Sequence, residues 1–217
     1  MRTTLPGLHP ISWRRPLTRR AALGNVGWIA AGTATLAIAG LEARRHRVLG
    51  PEEQVFRGLN DLPDELHGPV WAVMQTGSLA SVGVVSVLAL LARRPRAAVS
   101  LGVAGTAAWA GAKAMKNEIG RGRPAAHVDD VNVRGRPQTG LGFPSGHSAV
   151  VVALASAAAP SLPRPLRLIA WTAAGVTAGA RMYVGAHLPL DIVGGLGLGA
   201  AVGGATTLVL GDTGRRP

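Results

Sequence analysis

Apolar and polar positions segregate along this chain in long blocks rather than in alternation. Apolar runs without charge cover Leu23–Leu41, Leu66–Ala92, Ala97–Ala112, Ser148–Ala159, Leu168–Ala180 and Ile192–Gly211. A helix that crosses a bilayer needs roughly 20 mostly apolar residues. The first, second and last runs meet that length directly. The third meets it if Lys113 and Lys116 sit at its end, and the fourth and fifth meet it with adjoining residues. The pattern therefore predicts an all-α, polytopic membrane protein of six transmembrane helices in a bundle. A soluble bundle of unusually apolar helices is the alternative, but helices apolar on every side fit lipid better. Basic residues Arg14, Arg15, Arg19 and Arg20 precede the first run, and Ala37-Ile38-Ala39 resembles a small-residue cleavage site. The run exceeds a signal core of about 7–15 residues, so an uncleaved first helix is expected.

Between the runs, residues 51–65 (PEEQVFRGLNDLPDE) are polar with scattered Val55, Phe56, Leu59 and Leu62. Such a segment suits either a short interfacial helix or a solvated loop. Gly195, Gly199 and Gly203 recur every fourth residue in the last run. A small-residue stripe of that kind packs helices together, more often within one chain than between two. The organisation expected is a basic tail at 1–22, a six-helix domain at 23–211 and a short tail at 212–217.

Charge adds orientation. Of 217 residues, 23 are Lys or Arg and 11 are Asp or Glu, for a net charge of +12, and only Lys113 and Lys116 are lysines. The tail concentrates Arg2, Arg14, Arg15, Arg19 and Arg20, which places both termini in the cytoplasm by the positive-inside rule and fits an anionic lipid surface. Loops 117–146 and 181–191 then face the extracytoplasmic side of a plasma membrane. The excess of arginine also raises nucleic acid as a partner. Arg-Gly-Arg-Pro occurs twice, at 121–124 and 134–137, and arginine is the residue that reads a narrow minor groove. Cysteine is absent, so no thiolate metal site exists.

Candidate chemistry lies at the helix ends. Lys116 and Arg123-Pro124, with six residues between Lys116 and Arg123, close the third helix. Pro144-Ser145-Gly146-His147 opens the fourth. Arg181, His187 and Asp191 run from the end of the fifth into the sixth. Because successive helices alternate in direction, all three segments reach one membrane face. Lys116, Arg123 and Arg181 supply cations, and the arginine fork matches phosphate oxygens. Ser145 caps a helix whose free N–H groups favour an anion, and Gly146 permits close backbone approach. If the sixth helix starts near Leu188-Pro189, Asp191 lies one turn beyond His187. Its carboxylate then fixes the imidazole tautomer and leaves the other nitrogen to attack. His147 is placed to act as general acid. Taken singly, each feature is equally an ordinary cap, turn or interfacial histidine. No ligand-spaced cluster accompanies them, and three cations would repel a metal, so neither metal nor cofactor is expected.

In order and spacing the three segments resemble the signature motifs of the type 2 phosphatidic acid phosphatase (PAP2) superfamily, in its membrane-integral branch. The resemblance implies a metal-independent lipid phosphatase with a phosphohistidine intermediate. His187 would be the nucleophile, Asp191 its orienting partner and His147 the acid on the leaving group. Lys116, Arg123, Ser145, Gly146 and Arg181 would hold the phosphoryl oxygens. It also implies a lipid phosphate or diphosphate as substrate, with a bacterial polyprenyl diphosphate (undecaprenyl or decaprenyl type) as first choice. Phosphatidic acid, phosphatidylglycerol phosphate and transfer to an acceptor other than water are the alternatives, and a non-catalytic basic scaffold is the rival from another class. The family usually has Ser before the third-motif Arg, where this chain has Ala180; one neutral hydrogen bond of about 0.5–1.5 kcal/mol is at stake. With Arg123 drawn into the first motif, nucleic acid drops out as a partner, and Arg134 and Arg136 are left as loop residues. Loop 125–142, with His127, Asp129 and Asp130, is expected either to contact the head group or to form a solvated lid. No oligomeric state is implied.

Overall fold

A computed structural model describes residues 16–211. The basic residues Arg2, Arg14 and Arg15 and the tail at 212–217 lie outside the described residues. Within them every regular element is helical. The α-helices are α1 (Arg19–Ala43), α2 (Gly50–Asn60), α3 (His67–Met74), α4 (Leu79–Leu91), α5 (Pro95–Ile119), α6 (Gly146–Ala158), α7 (Arg164–Tyr183) and α8 (Pro189–Leu210). Each starts where local chemistry allows. The Thr18 and Ser78 hydroxyls accept from Ala21 N and Ser81 N and cap α1 and α4. Proline occupies the first turn of α2, α5, α7 and α8, where its missing N–H costs nothing.

The apolar runs fall on α1, on α3 with α4, and on α5, α6, α7 and α8. By length and composition α1 and α8 can each cross a membrane. The second run, expected as one helix, is broken: residues Asp64–Gly77 and Leu79–Leu91 meet at 67°. The break has a local cause and a tertiary one. Ser78 is extended (φ −77°, ψ 160°) and turns its hydroxyl to cap α4, while the Thr76 hydroxyl donates back to the Val73 carbonyl and bonds Thr177. Gly77 also lies against the first turn of α6, where an added Cβ would stand 2.5 Å from the His147 carbonyl oxygen. Segment 51–65, left open between helix and loop, contains α2, whose Glu52, Phe56 and Asn60 are buried along one stripe.

Packing places α8 at the centre. Its glycine stripe faces α6: a Cβ on Gly195, Gly199 or Gly203 would run into Ser145, Ala149 or Ser156. The stripe thus packs helices within the chain, as expected. Alanine-rich contact of the same kind joins α5 to α6, through Ala104, Ala108, Ala112, Ala149 and Ala153. The outer surface is the reverse of a water-soluble one. Large apolar side chains stand exposed on α1 (Leu23, Ile38, Leu41), α4 (Val84, Leu88, Leu91) and α7 (Leu168, Ile169). Exposed apolar area on that scale suits lipid contact.

Candidate active site

The site forms where the C-terminal ends of α5 and α7 meet the N-terminal ends of α6 and α8. Lys116 lies in the last turn of α5, which ends at Gly120 in the left-handed conformation (φ 71°). Its ammonium donates to the carbonyls of Leu141 (2.7 Å) and Gly142 (3.1 Å), just before α6. Arg123, in the same loop, donates from Nε to the Thr139 carbonyl (3.1 Å) and from Nη1 to the Ala186 carbonyl (2.7 Å), beside His187. Ser145 caps α6, accepting from Ser148 N (3.4 Å) and from the Ser148 hydroxyl (3.0 Å), and its own N–H donates to the Asp191 carbonyl (2.8 Å). Gly146 and His147 form the first turn of that helix. The three segments expected to converge are therefore cross-linked by hydrogen bonds.

Arg181 is 3% exposed and in the last turn of α7. Its Nη1 reaches only the Met74 thioether, at 3.3 Å, and its buried Nε has no partner. Sulfur is a weak acceptor, so this guanidinium keeps most of its donor capacity for an anion. Buried donors left in that condition are costly in a site without a ligand role.

His187 and Asp191 sit at the start of α8, with Pro189 in its first turn as expected. Both are buried, at 2% and 0% exposure. Asp191 Oδ2 accepts from Leu188 N (2.9 Å) and lies 3.5 Å from His187 Nδ1. The carboxylate thus serves at once as a helix cap and as the imidazole's neighbour. At 3.5 Å the two make no hydrogen bond, and the buried Nδ1 has no partner in the resting site; catalytic hydrogen bonds commonly tighten only once substrate is bound. Burial, followed by the positive charges of Arg181, Lys116 and Arg123, holds the His187 imidazole well below the ordinary histidine range. That favours the neutral imidazole, which is the form able to act as a nucleophile.

Ala180, in place of the usual serine, packs with Met74, Tyr183, Val184 and Ala186.

Two arginines that the motif pattern left without a role have strong ones. Arg121, the first arginine of its repeat, is fully buried. It forks onto Glu52, with Nη1 to Oε1 at 3.0 Å and Nη2 to Oε2 at 2.8 Å, and donates from Nη1 to Asp191 Oδ1 at 3.3 Å. Burial opposes its charge, but Glu52 and Asp191 outweigh that and raise its pKa. Arg134, in the second repeat, clamps the loop: it bonds Asp64 (2.7 Å) and the carbonyls of Asn60, Leu62 and Tyr183, and stacks 4.2 Å from the Tyr183 ring centre. Arg136 is exposed. The available signal for Glu52 was its spacing, since it shares a period-four stripe with Phe56 and Asn60.

Comparison with known proteins bears on the family and the fold. A family model described as PAP2 superfamily matches residues 76–215. A decaprenylphosphoryl-5-phosphoribose phosphatase from Mycobacterium tuberculosis is 33% identical over 149 residues, 68% of this chain and 74% of that protein. A lipid A 1-phosphatase from Rhizobium johnstonii is 36% identical over 108 residues, 48% of this chain and 43% of the relative, so the match spans less than half of that protein. Among solved structures, Aquifex aeolicus LpxE superposes with a TM-score of 0.65 at 20% identity, covering 73% of this chain and 95% of that one. A transmembrane PAP2 type phosphatidylglycerolphosphate phosphatase from Bacillus subtilis gives 0.65 at 18% identity, covering 81% and 94%. At these identities the two structures speak for the fold.

Proposed function

Since the chain belongs to the PAP2 superfamily, we propose that it is an integral-membrane lipid phosphatase acting through a phosphohistidine at His187, without metal. The observation that carries this reading is the convergence of a buried imidazole, its carboxylate neighbour and an under-used guanidinium at one junction of four helix ends. Asp191 faces Nδ1, which leaves Nε2 of His187 to attack phosphorus. As the N–P bond forms, the bond to the leaving oxygen breaks and His147 delivers a proton to that oxygen. Lys116, Arg123, Arg181 and the α6 N-terminus at Ser145 and Gly146 hold the three phosphoryl oxygens as charge develops. Water then attacks phosphorus, gives a proton to His147, and releases phosphate as the N–P bond breaks.

The substrate in this reading is a polyprenyl diphosphate of the undecaprenyl or decaprenyl type. Six spans carry the site, with both termini cytoplasmic and the site on the extracytoplasmic face of the plasma membrane. The basic tail supports this orientation, and the exposed apolar belts of α1, α4 and α7 support lipid contact. A second reading is favoured by one specific likeness. The Mycobacterium relative is named for a decaprenylphosphoryl-5-phosphoribose, so a phosphate monoester on a polyprenyl-linked sugar belongs in the same substrate panel.

The test is release of phosphate by protein purified in detergent, with chelator present, from a panel of lipid phosphates and diphosphates. Wild type is expected to release phosphate, and His187→Ala to lose release by at least about 10³-fold, as for a removed nucleophile. His147→Ala should slow substrates with poor leaving groups most. Undiminished release by His187→Ala, or strict dependence on metal, overturns the mechanism.

A further inference from the structure

Asp191 does not meet His187 alone. Its other oxygen is held by Arg121, and Arg121 is held by both oxygens of Glu52. Glu52 Oε1 also accepts from Leu190 N at 3.0 Å, in the first turn of α8. Glu52 belongs to α2, ahead of the segment that the family model matches, and is 8% exposed. An amphipathic helix remote in sequence thus reaches the far side of the catalytic pair.

The charges decide what this arrangement does. A buried guanidinium paired only with Asp191 would neutralise that carboxylate and draw its oxygen away from the imidazole. With Glu52 present, two carboxylates share one guanidinium and the trio keeps one net negative charge. Asp191 therefore retains an anion's capacity to accept from His187 Nδ1. That capacity matters most during transfer, when Nε2 forms its bond to phosphorus and positive charge develops on the ring. The surrounding cations Lys116, Arg123 and Arg181 all oppose that charge. A surplus carboxylate charge on the opposite side is the counterweight.

We propose that Glu52, acting through Arg121, is a positioning residue for phosphoryl transfer: it holds the guanidinium that orients Asp191 and leaves Asp191 with the negative charge that supports His187. The inference rests on the phosphatase reading above and adds a residue to it. The competing account is purely structural. Glu52 would then serve to cap α8 through Leu190 and to tie α2 to the bundle, and its charge would be incidental.

Two substitutions separate the accounts. Glu52→Gln is isosteric and keeps an oxygen for Leu190 N–H and Arg121 Nη1, but it removes the charge and sets an amide NH2 against Arg121 Nη2. It leaves no uncompensated buried ion, because Arg121 still has Asp191. Glu52→Asp keeps the charge on a shorter stem. The proposal expects Glu52→Gln, in protein that a melting curve shows to be folded at the assay temperature, to lower kcat by about tenfold with KM within about twofold, since the interaction with the developing charge belongs to the transition state. Glu52→Asp is expected to retain more of kcat than Glu52→Gln. Wild-type kcat in Glu52→Gln, or a lower kcat in Glu52→Asp than in Glu52→Gln, overturns it in favour of the structural account. If Glu52→Gln does not fold, Arg121→Lys carries the test: it keeps the charge but loses the fork that bridges both carboxylates. A fall in kcat at unchanged KM supports the proposal, and a wild-type kcat overturns it. His187→Ala in the same assay keeps the two levels apart. A dead His187→Ala beside a fully active Glu52→Gln sinks only the role of Glu52. A wild type inactive on every lipid, or a fully active His187→Ala, removes the phosphohistidine reading and this inference with it.

Discussion

In the proposed mechanism the charge state of His187 governs when this site can act. Neutral imidazole attacks, and protonation stops it. Because burial and then the cations Arg181, Lys116 and Arg123 lower the pKa of His187, the neutral form survives below the ordinary histidine value of about 6.5. As pH falls, kcat/KM should therefore hold past that point and decline only at lower pH. A pH profile of kcat/KM, which reports the free enzyme, checks this. An acid limb at or above the ordinary value would mean that His187 is not the group titrating. Ala180 offers a second test at the same scale. Its methyl packs among Met74, Tyr183 and Val184, one residue before Arg181. Ala180→Ser restores the family's usual hydroxyl without disturbing a cation. It should raise kcat/KM by no more than about tenfold, the value of one neutral hydrogen bond. A larger gain would make the alanine a determinant of turnover rather than a tolerated departure.

Among elements, the break between α3 and α4 has the most direct bearing on the site. Gly77 lets the turn sit against the first turn of α6, at His147. Gly77→Ala would push a methyl into the His147 carbonyl and the Thr177 methyl, whose Cγ2 would lie 2.9 Å away. Activity should fall by at least about tenfold, because a displacement of about 1 Å at a reacting group is that costly or worse. Phosphate release, alongside a melting curve that shows the variant folded, measures it. The break was not legible in the sequence, because Thr76-Gly77-Ser78 interrupts an apolar run with three small residues and no charge. What fixes it is a neighbour about seventy positions away. The three motifs were legible for the opposite reason: each is a short string at a helix end, and the alternation of apolar runs brings the ends together. The glycine stripe was readable because its period is that of a helix. Arg121 was visible in a repeat, but its meaning was not, since Glu52 lies 69 residues earlier and Asp191 lies 70 later. The role of Arg134 is hidden from the sequence for the same reason. The carbonyls of Asn60, Leu62 and Tyr183 that it clamps carry no side-chain signature.

For the molecule as a whole, topology is the claim that turns geometry into biology, because a lipid phosphatase acts on whichever leaflet its site faces. The loop between α5 and α6 bears Arg123 and ends beside His147, while the turn at the other end of α6 leads into the first turn of α7, which carries Arg167. From Gly146 to Ser161 the helix and its closing turn rise about 24 Å, shorter than a hydrocarbon core of about 30 Å; the proposed six-span topology puts the two loops on opposite sides. The chain has no cysteine, so a single introduced thiol reports its own position without background. Gln138 and Arg167 are both exposed. With both termini cytoplasmic, Gln138→Cys should react with an impermeant maleimide on intact cells, and Arg167→Cys only after permeabilisation. The reverse pattern would turn the site to the cytoplasm and remove the reason to favour a carrier lipid dephosphorylated outside. Labelling of both from outside would mean that α6 does not cross, and that the α6–α7 pair enters and leaves by one face. Only the first pattern joins the site, the basic tail and an extracytoplasmic lipid phosphate in one molecule.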